Sequence, residues 1–275
     1  MLRPGLVSIT FRPFSPEAVI AACVEHGLRG IEWGGDVHVP AGDPANARAV
    51  AKRTADAGLE VAAYGSYYRV GGAPGAEPDP RRGGVAQDWS AVLDTAEALA
   101  APRVRVWCGP CGSSACDEAT RARVAEDGRR IADQAAARGI DVVAEWHDGT
   151  LTDTAESATG LLNAIGHDHF LTYWQPRTGQ GFADALDDLD AALPWLAGLH
   201  VFHWLPSPGA GADRRPLAEG QGLWPTYLRQ AAAGPRGRGL FALLEFVRGD
   251  DPVNLGPDAA ALRQWTSAVN ASAGR

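Results

Sequence analysis

The stretch Ile140-Asp-Val-Val-Ala-Glu145, continued by Trp146-His-Asp-Gly-Thr-Leu-Thr-Asp-Thr154, decides the fold. A short, mostly apolar, β-rich run ends on a carboxylate, and a polar loop follows that finishes in a Thr-Asp-Thr helix start. Short apolar strands separated by helical segments are the pattern of parallel strands covered by helices. The same unit recurs in both directions. Residues 5–11, 30–33, 59–64 and 104–107 read as strands before it, and residues 170–174, 199–203 and 240–245 as strands after it. Helices alternate with them. One is opened by Ser15-Pro16-Glu17, an N-cap followed by proline in the first turn, and stops at Gly27. Others run over about residues 92–99 and 259–269. Eight strand–helix units predict an α/β chain closed into a (β/α)₈ barrel, with residues 1–275 as one domain. No Gly-x-Gly-x-x-Gly opens a helix after the first strand, so a dinucleotide fold has no fingerprint here.

Composition agrees with this reading. The chain has 275 residues, 45% hydrophobic and 21% charged, enough to bury a core without covalent staples. Its formal charge of −8 speaks against a nucleic-acid backbone as partner, which requires a basic face. No apolar run approaches the roughly 20 residues of a membrane span, and the N-terminus has no charged-then-apolar leader. A cytoplasmic protein with no membrane partner is expected. Cys23, Cys108, Cys111 and Cys116 are too few and too clustered for a disulfide framework. The last three, lacking a nearby histidine or fourth cysteine, make a poor zinc or redox site.

In such a barrel the loops after the strands form the catalytic face. Glu145, Gln175, His203 and Glu245 stand at or just past the ends of strands five to eight, so closure brings them to one rim. Two carboxylates, an imidazole and an amide oxygen suit a divalent ion, with Mn²⁺ first and Mg²⁺, Co²⁺ or Zn²⁺ as alternatives. His200 shares a strand with His203, but odd spacing turns the two to opposite faces, and the later one is nearer the mouth. Around this set, His147, Arg215, Trp107, Glu32 and His38 are candidate substrate contacts. Trp107 is the stacking candidate for an apolar face of a substrate, whereas alternation turns Trp146, Trp174 and Trp204 away from the axis. The glycine- and proline-rich stretches 71–84 and 207–222 follow strands and read as loops covering substrate.

These residues carry a resemblance. Gly30-Ile-Glu-Trp33, the segment from Ala144 to Thr154, His200-Val-Phe-His203 and Leu244-Glu-Phe246 together resemble the xylose isomerase-like TIM-barrel superfamily, the sugar phosphate isomerase/epimerase group, over nearly the whole chain. In that superfamily the metal ligands come from strands five to eight, typically Glu, Asp, His and Glu. Glu145, His203 and Glu245 match, and Gln175 departs from the usual Asp. The resemblance implies one metal that polarises a substrate carbonyl and stabilises an enediolate, with Glu145 and Glu245 moving the proton as catalytic acid and base. The expected activity is isomerisation or epimerisation of a sugar or sugar-like polyol, in a protein that often pairs as a homodimer. The alternatives are a metal-dependent dehydratase (lyase) of a keto-polyol such as an inosose, and a non-catalytic sugar-binding barrel.

Overall fold

The computed structural model describes residues 1–72, 88–207, 212–237 and 239–273. Eight parallel strands close on themselves: β1 (Arg3–Val7), β2 (Gly30–Gly34), β3 (Glu60–Val70), β4 (Arg103–Cys108), β5 (Asp141–Glu145), β6 (Phe170–Trp174), β7 (Leu196–Val201) and β10 (Phe241–Leu244). Between β7 and β10 a small antiparallel hairpin, β8 (Trp204–Pro206) with β9 (Ala212–Arg214), stands apart from the barrel sheet. Helices α1 (Pro16–Glu25), α2 (Pro44–Asp56), α3 (Trp89–Ala98), α4 (Glu118–Ala136), α5 (Ala155–Ile165), α6 (Phe182–Ala192), α7 (Trp224–Ala233) and α8 (Leu255–Ala273) complete the alternation. This is a (β/α)₈ barrel. Among the described residues no helix is long and apolar enough to cross a membrane. Of the stretches expected to cover the mouth, residues 73–84 and 208–211 lie outside the described residues.

Strand alternation divides the apolar residues into two sets. Val142, Ala144, Phe170, Trp174, Leu199 and Leu244 face out and pack beneath the helices. Val143, Leu171, Tyr173, Phe241 and Leu243 face in and fill the lumen. The outward packing is aromatic in places. Trp174 meets Trp224 and Tyr227 of α7 edge-on, with centroids 6.3 and 5.2 Å away, contacts worth about 1 kcal/mol each beyond burial.

Two strands break the simple alternation. In β7, Thr172 pairs with Leu196 but Tyr173 pairs with Gly198, so Ala197 is an extra residue. After this bulge Gly198 and His200 face the lumen, while Leu199 and Val201 face the helices. Gly198 has to lack a side chain, because a Cβ there would sit 2.7 Å from the Tyr173 ring. The strand therefore begins three residues earlier than the sequence reading placed it and ends at Val201. In β3 the register shifts between Gly65 and Tyr68, and Tyr67 takes a left-handed φ of 58° that turns its ring into the mouth. The expected first strand is likewise divided, into β1 and a 3₁₀ turn over Ser8–Phe11.

Candidate metal centre

The loop that opens on Glu145 is built by hydroxyls. Thr152 donates to the Glu145 carbonyl at 2.5 Å, Thr150 donates to the His147 carbonyl at 2.7 Å, and Thr154 caps α5 by accepting from Ser157 N at 3.2 Å. Leu151 N reaches across to the Cys108 carbonyl at 2.7 Å and joins this loop to the end of β4. The carboxylate of Glu145 is thus carried on a short, fixed strand end. Its Oε2 accepts from Trp107 Nε1 at 2.5 Å and pairs with Arg105 Nη1, while Oε1 lies 3.3 Å from His200 Nδ1.

Three further strand ends supply the rest. His200, fully buried, turns Nδ1 toward Gln175 Oε1 at 3.2 Å and toward Glu245 Oε2 at 3.6 Å. Gln175 is oriented by its own amide, whose Nε2 donates to the Trp146 carbonyl at 2.7 Å and leaves Oε1 facing the histidine. Donor atoms of Glu145, His200 and Glu245 all lie within 4.8 Å of one another. On the far side His200 Nε2 sits 3.2 Å from Glu32 Oε2, and Glu32 Oε1 accepts from Arg105 Nε at 2.6 Å.

Charge explains the titration of this cluster. Burial would raise the Glu145 carboxyl, but Arg105 and His200 outweigh it and hold Glu145 well below the carboxylate range. Glu32 is lowered by the same two cations against the same burial. Glu245 goes the other way: burial raises it, and the nearby Glu145 and Glu32 charges add to that despite His200. Burial would depress His200, yet the carboxylates of Glu245 and Glu32 push it up to about 10. Three carboxylates thus converge around the His200 ring, and two of them, Glu32 and Glu145, also pair with the Arg105 guanidinium. A cation is wanted at the centre of this set. Two carboxylate oxygens, an amide oxygen and an imidazole nitrogen are a donor set that fits a divalent metal ion.

Of the residues proposed from sequence, Glu145, Gln175, Glu245, Glu32 and Trp107 come together here. His203 does not, and His200 occupies the place expected for it. Depth alone favoured His203, but the bulge in β7 sets the inward phase at 198 and 200. His203 instead lines a cleft of about 300 Å³ with Arg177, Gln180 and Tyr227. His147 is half-buried, its Nδ1 against the Asp148 carbonyl and its ring 4.8 Å from Trp107. Arg215 is spent on Glu219 and Asp213, 3.0 and 3.6 Å away. His38 is buried between Ser8 Oγ at 2.9 Å and the Phe14 carbonyl at 3.2 Å, so both ring nitrogens are engaged away from the donors. Arg105 was missed. Its signal was the alternation of Val104 and Val106 outward with Arg105 and Trp107 inward. Cys111 and Cys116 form a disulfide in the loop after β4, and Cys23 and Cys108 are buried free thiols.

A parallel eightfold barrel with acid, amide and imidazole donors gathered at its C-terminal rim defines a metal-site barrel of the (β/α)₈ class. The chain belongs to the xylose isomerase-like TIM barrel family, whose model matches residues 20–265. No curated protein matches the sequence significantly. Among solved structures it is similar to the probable 3-DHS dehydratase AsbF, involved in petrobactin synthesis, from Bacillus anthracis (TM-score 0.74, 19% identity, 96% of this chain and 99% of that one). It is also similar to an L-ribulose 3-epimerase (TM-score 0.70, 16% identity, 100% and 97% covered). A xylose isomerase-like TIM barrel protein from Mycobacterium smegmatis, in complex with magnesium, aligns with a TM-score of 0.69 at 16% identity over 97% and 98% of the two chains. At such identities the likeness establishes the fold.

Proposed function

We propose that this protein is a divalent-metal-dependent isomerase or epimerase of a sugar or sugar-like polyol, acting by proton transfer beside a carbonyl. The observation that carries the reading is His200 Nδ1 facing oxygens of Gln175, Glu145 and Glu245 at 3.2, 3.3 and 3.6 Å. Glu145, Gln175, His200 and Glu245 would hold the ion, which supplies Lewis acidity to a neighbouring substrate oxygen. Mn²⁺ is the first choice for an O,O,O,N set, and the magnesium in the Mycobacterium smegmatis relative makes Mg²⁺ the next. Glu245, whose carboxyl is raised by burial and by the neighbouring carboxylates, is the group suited to take and return a proton. Glu145, whose Oε2 is held by Arg105 and Trp107, is suited to remain an anion. Trp107 at the mouth offers an indole face to the apolar side of a polyol.

This asymmetry supports a second reading. A 3-epimerisation needs proton carriers on both faces of one carbon, whereas one carboxylate suffices for a 1,2-isomerisation or for elimination of water. A dehydratase of a keto-polyol is therefore the runner-up, and the similar AsbF structure is that of a probable 3-DHS dehydratase. The test is incubation of the metal-loaded chain with a panel of ketoses and inososes in D₂O. Carbon-bound deuterium without mass loss indicates isomerisation or epimerisation, and loss of one water indicates dehydration. Glu245→Gln should lower exchange about 10²- to 10⁴-fold while the protein still takes up metal. Glu145→Gln should chiefly weaken metal uptake. A chain that takes up no metal, or a Glu245→Gln variant with intact exchange, would sink the proposal. Metal and sugar binding without exchange would indicate a non-catalytic barrel.

A further inference from the structure

We propose that Glu32 and Arg105, on β2 and β4, are positioning residues that fix two of the donors, His200 and Glu145, in the orientation a divalent ion requires. The inference rests on the metal reading above and extends it to the opposite wall of the barrel.

The histidine is presented by one nitrogen only. Nδ1 faces the three oxygens, and Nε2 faces Glu32 Oε2 at 3.2 Å. A carboxylate at that distance keeps a proton on Nε2 and leaves the Nδ1 lone pair for the ion, the outer arrangement that ligating histidines generally need. Glu32 is held in turn. Its other oxygen accepts from Arg105 Nε at 2.6 Å, and the same guanidinium pairs through Nη1 with Glu145 Oε2. With Oε2 committed, Glu145 turns Oε1 toward His200 Nδ1. One planar, fully buried group thereby sets the ring on β7 and the carboxylate on β5 relative to each other.

The arrangement is built into the backbone as well. At Gly65 on β3 a Cβ would lie 2.8 Å from Arg105 Nη2 and 2.9 Å from Glu32 Oε1. Only glycine leaves room for the pair at that place. Neither Glu32 nor Arg105 reaches into the ring of donors, so both act through other side chains.

The test uses the full chain titrated with Co²⁺, following affinity by calorimetry and ligand geometry by the visible absorption of the ion. Glu32→Gln keeps the size but offers an amide that no longer dictates the tautomer. Arg105→Lys keeps the charge but not the fork. Each should weaken Co²⁺ roughly 10- to 100-fold and alter the spectrum. Where the variants fail to fold, ¹⁵N-histidine spectra of the Zn²⁺-loaded wild-type chain decide: Nδ1 bound to metal with Nε2 protonated is expected. Metallation through Nε2, or folded variants with unchanged affinity and spectrum, would overturn the inference while leaving the metal reading intact. A wild-type chain that binds neither Co²⁺ nor Zn²⁺ would overturn both.

Discussion

Glu145 and Glu245 stand on either side of His200, on β5 and just past β10, and their surroundings differ. Glu145 has one oxygen fixed by a guanidinium and an indole N–H, and its carboxyl is held low. Glu245 has its Oε2 at the longer distance of 3.6 Å from His200, and burial raises its carboxyl. Identical side chains at equivalent rim positions are thus tuned apart by what lies beneath them. The β4 side of the barrel supplies donors aimed into the lumen, and the tuning comes from those donors. A fixed anion beside a protonatable carboxyl is the division of labour that proton-transfer chemistry uses.

The difference between the two glutamates depends most on the guanidinium. Arg105→Met leaves Glu32 and Glu145 buried with one positive partner fewer, and uncompensated buried charges cost roughly 3–5 kcal/mol. Urea unfolding should show a loss of that size, with metal uptake falling as Glu145 loses its anchor. A loss below about 1 kcal/mol would mean that the two glutamates are not distinguished by Arg105.

How far the sequence could reveal this follows from where each residue's partners lie. Glu145, Gln175 and Glu245 were legible because β5, β6 and β10 alternate regularly, so a rim position predicts an inward side chain. His200 was hidden by the extra residue Ala197, since a bulge changes the phase of everything after it. The clue lay in Leu199 and Val201, bulky apolar residues suited to the helix-facing side, which leave Gly198 and His200 for the lumen. Arg105 had no local explanation. An arginine in a buried strand makes sense only with Glu32 and Glu145, 73 and 40 residues away in the chain. Arg215 and His38 show the converse: polar residues near the rim whose neighbours, Glu219 and Ser8, absorb them.

The Glu245 side can be sharpened by pH. Burial opposes protonation of His200, but Glu245 and Glu32 push its pKa up to about 10, so at neutral pH the metal-free imidazole carries a proton. An ion bound through Nδ1 must displace a proton from the ring. Because the pKa is raised, the competition is strongest below it and fades as pH climbs through it. Divalent-metal affinity should therefore rise with pH, by up to about tenfold per unit for one proton released, and level off above the histidine pKa. The raised carboxyl of Glu245 adds to the release toward lower pH. Calorimetry in buffers of different ionisation enthalpy counts the protons directly. Uptake with no proton released would show that the imidazolium does not hold the place of the ion.

The smallest effect is expected from the indole, and it isolates the remaining donor on the Glu145 side. Trp107→Phe removes the Nε1–H that reaches Glu145 Oε2 at 2.5 Å but keeps an aromatic ring beside Tyr67 and His147. A hydrogen bond to a charged acceptor contributes about 1.5–3 kcal/mol, and Arg105 still holds the same oxygen, so the net loss should fall at or below that lower figure. Mn²⁺ affinity should drop by about tenfold or less, with deuterium exchange at saturating metal nearly unchanged, because the proposed proton carrier is Glu245 rather than Glu145. A large fall in exchange at saturating metal would mean that the substrate needs the indole itself, beyond the aromatic face that phenylalanine keeps. The two measurements together separate a residue that tunes the fixed carboxylate from one that holds the sugar.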